Sequence, residues 1–259
     1  MENTIYMGEY NFIQTRKTII NMKIKENFKY SSKFSLNYLE DENFDKEYLL
    51  FNLKEKNIEI FVNKRKVKDD SMKITLLFDS LNICFFKNDF YLIILNKEEV
   101  IEKFYVIKKY FQERQKNLNE ISTYEKTLLN DQILFNRVND NKFLYCLFSN
   151  IYFKNRKNKK FSLNYIQGLK IPLSISKINK KNNDIRLVAE IDKNIISDET
   201  LKKYLQNFYN LKNAEYKFNY ILDIKFQNEK IHKICEEISL NVNESIEIKE
   251  KVFIEGEMK

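Results

Sequence analysis

Glycine is nearly missing from this chain. Gly8, Gly168 and Gly256 are the only three among 259 residues. They are too few and too scattered for the glycine-rich turns that cradle phosphates, which excludes a P-loop and a Rossmann dinucleotide site. Proline is rarer still, with Pro172 alone. Average usage of the two residues is near about 7% and 5%, so tight turns must fall to asparagine, which after glycine best tolerates the left-handed backbone region. The three cysteines, Cys84, Cys146 and Cys235, lie far apart among apolar neighbours. They suit buried thiols in a reducing compartment better than a disulfide framework. The lone histidine, His232, sits three residues before Cys235, but tetrahedral zinc needs two more ligands, and Cys84 and Cys146 stand in isolated apolar segments. No metal or other cofactor is expected.

Long apolar runs are lacking as well. No stretch approaches the roughly 18 to 20 uninterrupted apolar residues that cross a bilayer. The opening MENTIYMGEYNF carries Glu2 and no basic segment leading into an apolar one. These features predict a soluble cytoplasmic protein with no membrane partner. Paired carboxylates do not assemble either: Asp69 with Asp70 and Glu236 with Glu237 are direct neighbours, and neighbours point apart in a helix or a strand. Glu98 and Glu99 read as first-turn helix acids. With no nucleophile and base in view, no enzymatic activity is expected.

What the chain does have is enough apolar surface for a core, with 43% hydrophobic and 14% aromatic residues. It also has an internal echo. KFSLNY occurs at Lys33 to Tyr38 and again at Lys160 to Tyr165. The same offset sets NIEIFV (Asn57 to Val62) against DIRLVA (Asp184 to Ala189), and a small insertion sets FKNDFYLIIL (Phe86 to Leu95) against YKFNYILDIK (Tyr216 to Lys225). Each of the last two runs leads into a polar cap and an apparent helix, NKEEVIEKF after the first and NEKIHKICEEI after the second. Period-two alternation is clearest at Tyr216, Phe218, Tyr220, Leu222, Ile224 and Phe226. Asn96 with Glu99, Ser122 with Glu125, and Ser197 with Asp198 and Glu199 read as helix starts. The polar stretch Gln112 to Glu120 reads as a joint. The expected fold is therefore α+β, with two tandem, duplicated, mostly antiparallel-sheet units joined by a helical segment: residues 1–117, a connecting helix over 118–140, and residues 141–259. Coincidence within a composition rich in Lys, Asn, Ile and Phe is the alternative to duplication.

Charge is the sharper signal. From Asn141 to Asn183 there is no acidic residue, while Lys142, Lys154, Arg156, Lys157, Lys159, Lys160, Lys170, Lys177, Lys180 and Lys181 give that stretch +10. The whole chain carries +8, so everything else is slightly acidic. The first KFSLNY, by contrast, runs into an acidic cluster, Glu40, Asp41, Glu42, Asp45 and Glu47. Basic runs are commonly no more than solvated loops. Aromatic residues interleave with this one, however, and Tyr152, Tyr165 and Tyr145 are expected near the surface, where rings stack on unpaired bases between phosphate-binding cations. The chain thus reads as a non-catalytic binding protein for a polyanionic partner, nucleic acid or a nucleoprotein complex, with residues 142–181 as the contact region. The alternative is a protein-interaction component, such as an adaptor, secretion chaperone, inhibitor or assembly subunit, that touches no nucleic acid.

Overall fold

Alternation of inward and outward side chains builds most of the molecule. A computed structural model describes residues 8–39, 47–67, 79–86, 91–114, 118–131, 133–134, 141–147, 160–166, 169–181, 184–227 and 230–257. Its strands are β1 (Glu9–Ile20), β2 (Lys23–Tyr38), β3 (Tyr48–Val62), β4 (Arg65–Lys66), β5 (Ser80–Phe86), β6 (Tyr91–Ile94), β7 (Lys160–Ile166), β8 (Leu169–Lys181), β9 (Asp184–Ile191), β10 (Tyr216–Gln227), β11 (Lys230–Val242) and β12 (Ile246–Gly256). The helices are α1 (Lys97–Glu113), α2 (Leu118–Leu129) and α3 (Asp198–Tyr209). Residues 142–147 form a further short helical segment.

All twelve strands among the described residues belong to one antiparallel sheet, in the order β6-β5-β3-β2-β1-β12-β11-β10-β9-β8-β7, with β4 attached to β3. The chain starts in the middle, meanders to one edge, crosses by way of helices to the other edge, and returns. β1 and β12 therefore lie side by side, paired from Tyr10 with Gly256 to Ile20 with Ile246. This pairing corrects the expectation of two tandem α+β units joined by a helical segment: strands from both parts of the chain form a single sheet. The two expected repeats do not pair equivalently within it. Both KFSLNY copies are strands, but β2 is bonded on both sides, to β1 and β3, whereas among the described strands β7 pairs only with β8. The partner of helix α1 in the repeat would be NEKIHKICEEI, which is strand β11.

Asparagine makes the turns. At Asn21–Met22, Asn63–Lys64 and Asn243–Glu244, both residues have φ between 49° and 67°, the signature of type I′ hairpins whose twist matches the flanking strands. Asn243 is fixed further. Its Oδ1 accepts the Glu215 N–H at 2.7 Å, and its Nδ2 donates to the Asn213 carbonyl at 2.6 Å.

One face of the sheet is apolar. Leu36, Phe51, Leu53, Ile83, Leu222, Ile234 and Val252 are buried there, while their outward neighbours along each strand are largely polar. α1 covers this inner face with Val100, Phe104 and Phe111. It begins at Asn96 as its sequence suggests, but the Asn96 Oδ1 accepts from Asn82 N–H at 2.8 Å and so ties the helix start to β5. α2 begins at Leu118, four residues before the expected Ser122, so the joint between the two helices is short. α3 starts at Ser197, whose Oγ accepts the Thr200 N–H at 3.1 Å, and it buries Leu201 and Leu205. The far edge curls back over the centre. β7 lays Phe161 against Tyr220 and Tyr165 against Phe218, with ring centroids 5.2 and 6.1 Å apart. No helix among the described residues is long and apolar enough to cross a membrane.

Candidate functional site

The inner face is interrupted by charge where the central strands meet. Along β11 the buried positions read Ile234, Glu236, Ile238, Leu240, Val242, and along β12 they read Ile246, Ile248, Glu250, Val252, Ile254. In each strand one glutamate occupies a place that alternation reserves for an aliphatic side chain. Glu236 is fully buried and Glu250 is 3% exposed. On β1, Gln14 and Arg16 take up the inward positions after Tyr10 and Phe12. Burial of carboxylates is tolerated only with partners, and the partners come from two directions.

The first is the helical segment 142–147. Asn141 caps it, its Oδ1 accepting the Leu144 N–H at 3.1 Å and its carbonyl accepting the Tyr145 N–H at 2.9 Å. This places Lys142 and Phe143 in the first turn, aimed at the sheet. Lys142 Nζ donates to Glu236 Oε2 at 2.9 Å and lies 3.6 Å from Glu250 Oε1. Burial alone pulls the Lys142 pKa down, but the two carboxylates outweigh it and hold the ammonium protonated well past the ordinary lysine range. Glu236 Oε1 accepts no hydrogen bond. The second direction is β1. Gln14 Nε2 donates to Glu250 Oε1 at 3.1 Å, and Arg16 Nη1 stands 3.8 Å from Glu250 Oε2. Arg16 Nη2 also donates to the Tyr165 carbonyl at 2.9 Å, so it fastens the curled edge strand β7 to the centre. The Tyr165 hydroxyl lies 2.9 Å from the Ile248 carbonyl and 3.2 Å from that of Ile238. Burial, then the charge of Glu250, raises its pKa above the phenol range.

Beside this cluster a cavity of about 490 Å³ opens on the inner face. β1 supplies Phe12, Gln14 and Arg16 to its wall, β2 supplies Tyr30 and Phe34, β3 supplies Glu55, β12 supplies Glu250, and residues 141–143 form its roof. Its volume falls in the range of about 300 to 1,000 Å³ typical of small-molecule sites. Phe143 stacks on Phe34 with centroids 3.9 Å apart, and it meets Tyr10 and Phe12 edge-on at 5.8 and 5.9 Å. Phe12 in turn meets Tyr30 at 5.9 Å. The Tyr30 hydroxyl donates to Glu55 Oε1. Burial raises the Glu55 pKa, the Ser32 and Tyr30 hydroxyls oppose it, and the charge of Asp79 adds to it.

The raised Glu55 pKa has a stability consequence. A carboxyl whose folded pKa lies above its unfolded one favours the fold when protonated and costs it when ionised. Glu55→Gln should therefore increase unfolding free energy at pH 7, and the gain should vanish as pH falls below the ordinary glutamate value of 4.5. Parallel urea titrations of the two proteins at pH 7 and at about pH 4 read this directly. An equal gain at both values would show that charge is not the cause.

The basic stretch divides in this structure. Lys142 and Tyr165 are not surface contacts: Lys142 is held by Glu236 and Glu250, and Tyr165 is 1% exposed. Their expected exposure is corrected by the curl of the sheet, which turns both onto the inner face. Lys160 is half exposed and pairs with Asp192 at 2.7 Å. Lys170, Lys177, Lys180 and Lys181 are exposed along β8. Tyr152, Lys154, Arg156, Lys157 and Lys159 lie outside the described residues. Sequence reasoning missed Gln14, Arg16, Tyr30, Glu55, Glu236 and Glu250. The signal was present, since each is a polar or charged residue at an inward position of an otherwise apolar alternation.

No protein-family model and no curated protein matches the chain. Among solved structures, a lipovitellin chain, described for its lipid–protein interactions, is similar to it with a TM-score of 0.46 and 10% identity. The match covers 98% of this chain and 26% of the lipovitellin chain, so this protein spans about a quarter of that one.

Proposed function

We propose that the protein is a non-catalytic binding protein that holds a small organic ligand in the cavity on the inner face of its sheet. The observation that carries this reading is the cavity itself, whose wall sets the rings of Phe12, Tyr30, Phe34 and Phe143 beside the polar side chains of Gln14, Arg16, Glu55, Asn141, Lys142 and Glu250. The chemistry beside it supports binding rather than turnover. Lys142 is locked as a cation by Glu236 and Glu250, the Cys146 thiol is pushed well up by burial, and the Tyr165 phenol is pushed up likewise, so none of the three is an activated nucleophile at neutral pH. A fragment screen observed by NMR on the full chain tests the reading. Hits should perturb the aromatic signals of Phe12, Tyr30, Phe34 and Phe143, and Phe34→Trp, which fills the space, should abolish them. A screen in which no fragment moves those rings would sink the proposal.

A second reading keeps the polyanion. Lys177, Lys180 and Lys181 project from β8 into solvent, and no acidic residue interrupts that strand. If this strand follows a phosphate backbone, replacing the three by Ala should weaken oligonucleotide binding and lower the salt slope by roughly 0.7 to 0.9 for each phosphate no longer neutralised. Failure of the wild-type chain to bind RNA or DNA in about 50 mM salt would end this reading and leave the first untouched.

A further inference from the structure

The cavity is not electrically balanced by its own walls. Lys142 is engaged by Glu236 and Glu250, and Arg16 by Glu250 and the Tyr165 carbonyl. Arg16 Nε also lies 3.9 Å from Glu26 Oε2, so both cations are fully matched by carboxylates. Glu55 is left over. Its neighbours are the uncharged Tyr30 and Ser32 hydroxyls, and no basic side chain among the described residues forms an ion pair with it. Asp79, whose own carboxylate is taken by Lys103, adds a like charge to the surroundings of Glu55. A carboxylate half withdrawn from water with no countercharge favours a cation that arrives from outside.

The surroundings select the kind of cation. Glu55 pairs directly across the ladder with Phe34, so both project from the same face. Phe12, Phe34 and Phe143 pack on one another, while Tyr30 is only partly buried, and the negative face of such a ring attracts ammonium groups. Lys142 in the roof and Arg16 on β1 are already paired, so an anionic ligand would have to compete with Glu250 and would also confront Glu55. Rings and one free carboxylate are complementary to an organic ammonium on an apolar body.

Resting on the cavity reading above, we propose that the ligand is such a cation, a primary to quaternary ammonium attached to an aromatic or aliphatic group, with Glu55 as its counter-ion. The ammonium sits against Glu55 beside the partly buried Tyr30 ring, and the apolar part extends toward Phe12 and Phe34.

Three probes of similar shape test this on the full chain: benzyltrimethylammonium, benzyl alcohol and phenylacetate, titrated while the NMR signals of the cavity rings are followed. The ammonium should bind at least about tenfold more tightly than either of the others, a difference of about 1.4 kcal/mol. Glu55→Gln should remove that preference and leave benzyl alcohol unaffected, and the wild-type preference should fade as pH is lowered through the Glu55 titration. Phenylacetate binding as well as or better than the ammonium would overturn the cationic ligand while leaving the cavity reading intact. A preference for the ammonium that persists in Glu55→Gln would overturn the counter-ion assignment. Silence of the rings toward all three probes counts against this proposal, and the broader fragment screen then decides whether the cavity reading falls with it.

Discussion

Replacing Lys142 by methionine is expected to cost about 3 to 5 kcal/mol of folding stability, the loss seen when one member of a buried ion cluster is removed and its partners stay charged. The geometry sets this value. Glu236 is fully buried and Glu250 nearly so, and Lys142 Nζ is the only cation within hydrogen-bonding distance of Glu236 among the described residues. Without it, Glu236 must either remain a bare anion in an apolar layer or take up a proton. Methionine keeps the unbranched stem and removes only the charge, so packing along the segment 142–147 changes little. Urea unfolding at pH 7 gives the number. The double variant Lys142→Met with Glu236→Leu should recover most of the loss, since an apolar pair replaces two desolvated charges and Glu250 keeps Gln14 and Arg16. A loss below about 1 kcal/mol in the single variant, the ordinary value for an exposed pair, would mean that Lys142 reaches water and not the two carboxylates. Because the Lys142 pKa is raised, its contribution is present in full below the ordinary lysine value of 10.5 and is lost only as pH climbs past it.

Lys142 also shows what a linear reading can and cannot see. It heads an acid-free stretch, and from sequence alone it belongs with the nine basic residues that follow. Its acidic partners are 94 and 108 positions further on, and only the pairing of β11 with β12 brings Glu236 and Glu250 beneath it. Local charge counts carry no information about partners at such distances. Tyr165 is misplaced for a related reason. Alternation correctly puts it on one face of a strand, but which face is covered depends on the curl that folds β7 over β1, β11 and β12.

Strands with uninterrupted apolar faces were legible, β10 most of all. β11 was not, because Glu236 breaks its period of two. What remains visible, Ile231, Ile234 and Ile238, recurs at intervals of three and four and mimics a helix. A register shift at Lys225 and Phe226 displaces Ile231 from the pattern and completes the disguise. The residue that hid the strand is the one that makes the polar cluster. Sheet order was out of reach for a different reason. The contact between β1 and β12 joins the two ends of the chain, and no short-range pattern distinguishes that closure from two separate sheets.

Phe143→Ala is expected to be as damaging as the loss of Lys142, again about 3 to 5 kcal/mol. Phe143 is 1% exposed, stacks on Phe34 and contacts Tyr10 and Phe12. It is the ring that seats the segment 142–147 on the sheet. Truncation would enlarge a cavity that is already there, and the walls, being strands of a continuous ladder, cannot move inward to fill it, so the cost belongs toward the upper part of that range. Phe143→Leu keeps most of the buried surface and should lose about 1.5 kcal/mol or less. A second measurement distinguishes an emptied pocket from a general loss of packing. An apolar cavity vacated by a ring binds a small aromatic molecule, so saturating benzene should raise the melting temperature of Phe143→Ala clearly more than that of the wild-type chain. If Phe143→Ala unfolds within about 1 kcal/mol of wild type, the ring is not seated between β1 and β2, and the roof of the cavity has to be redrawn.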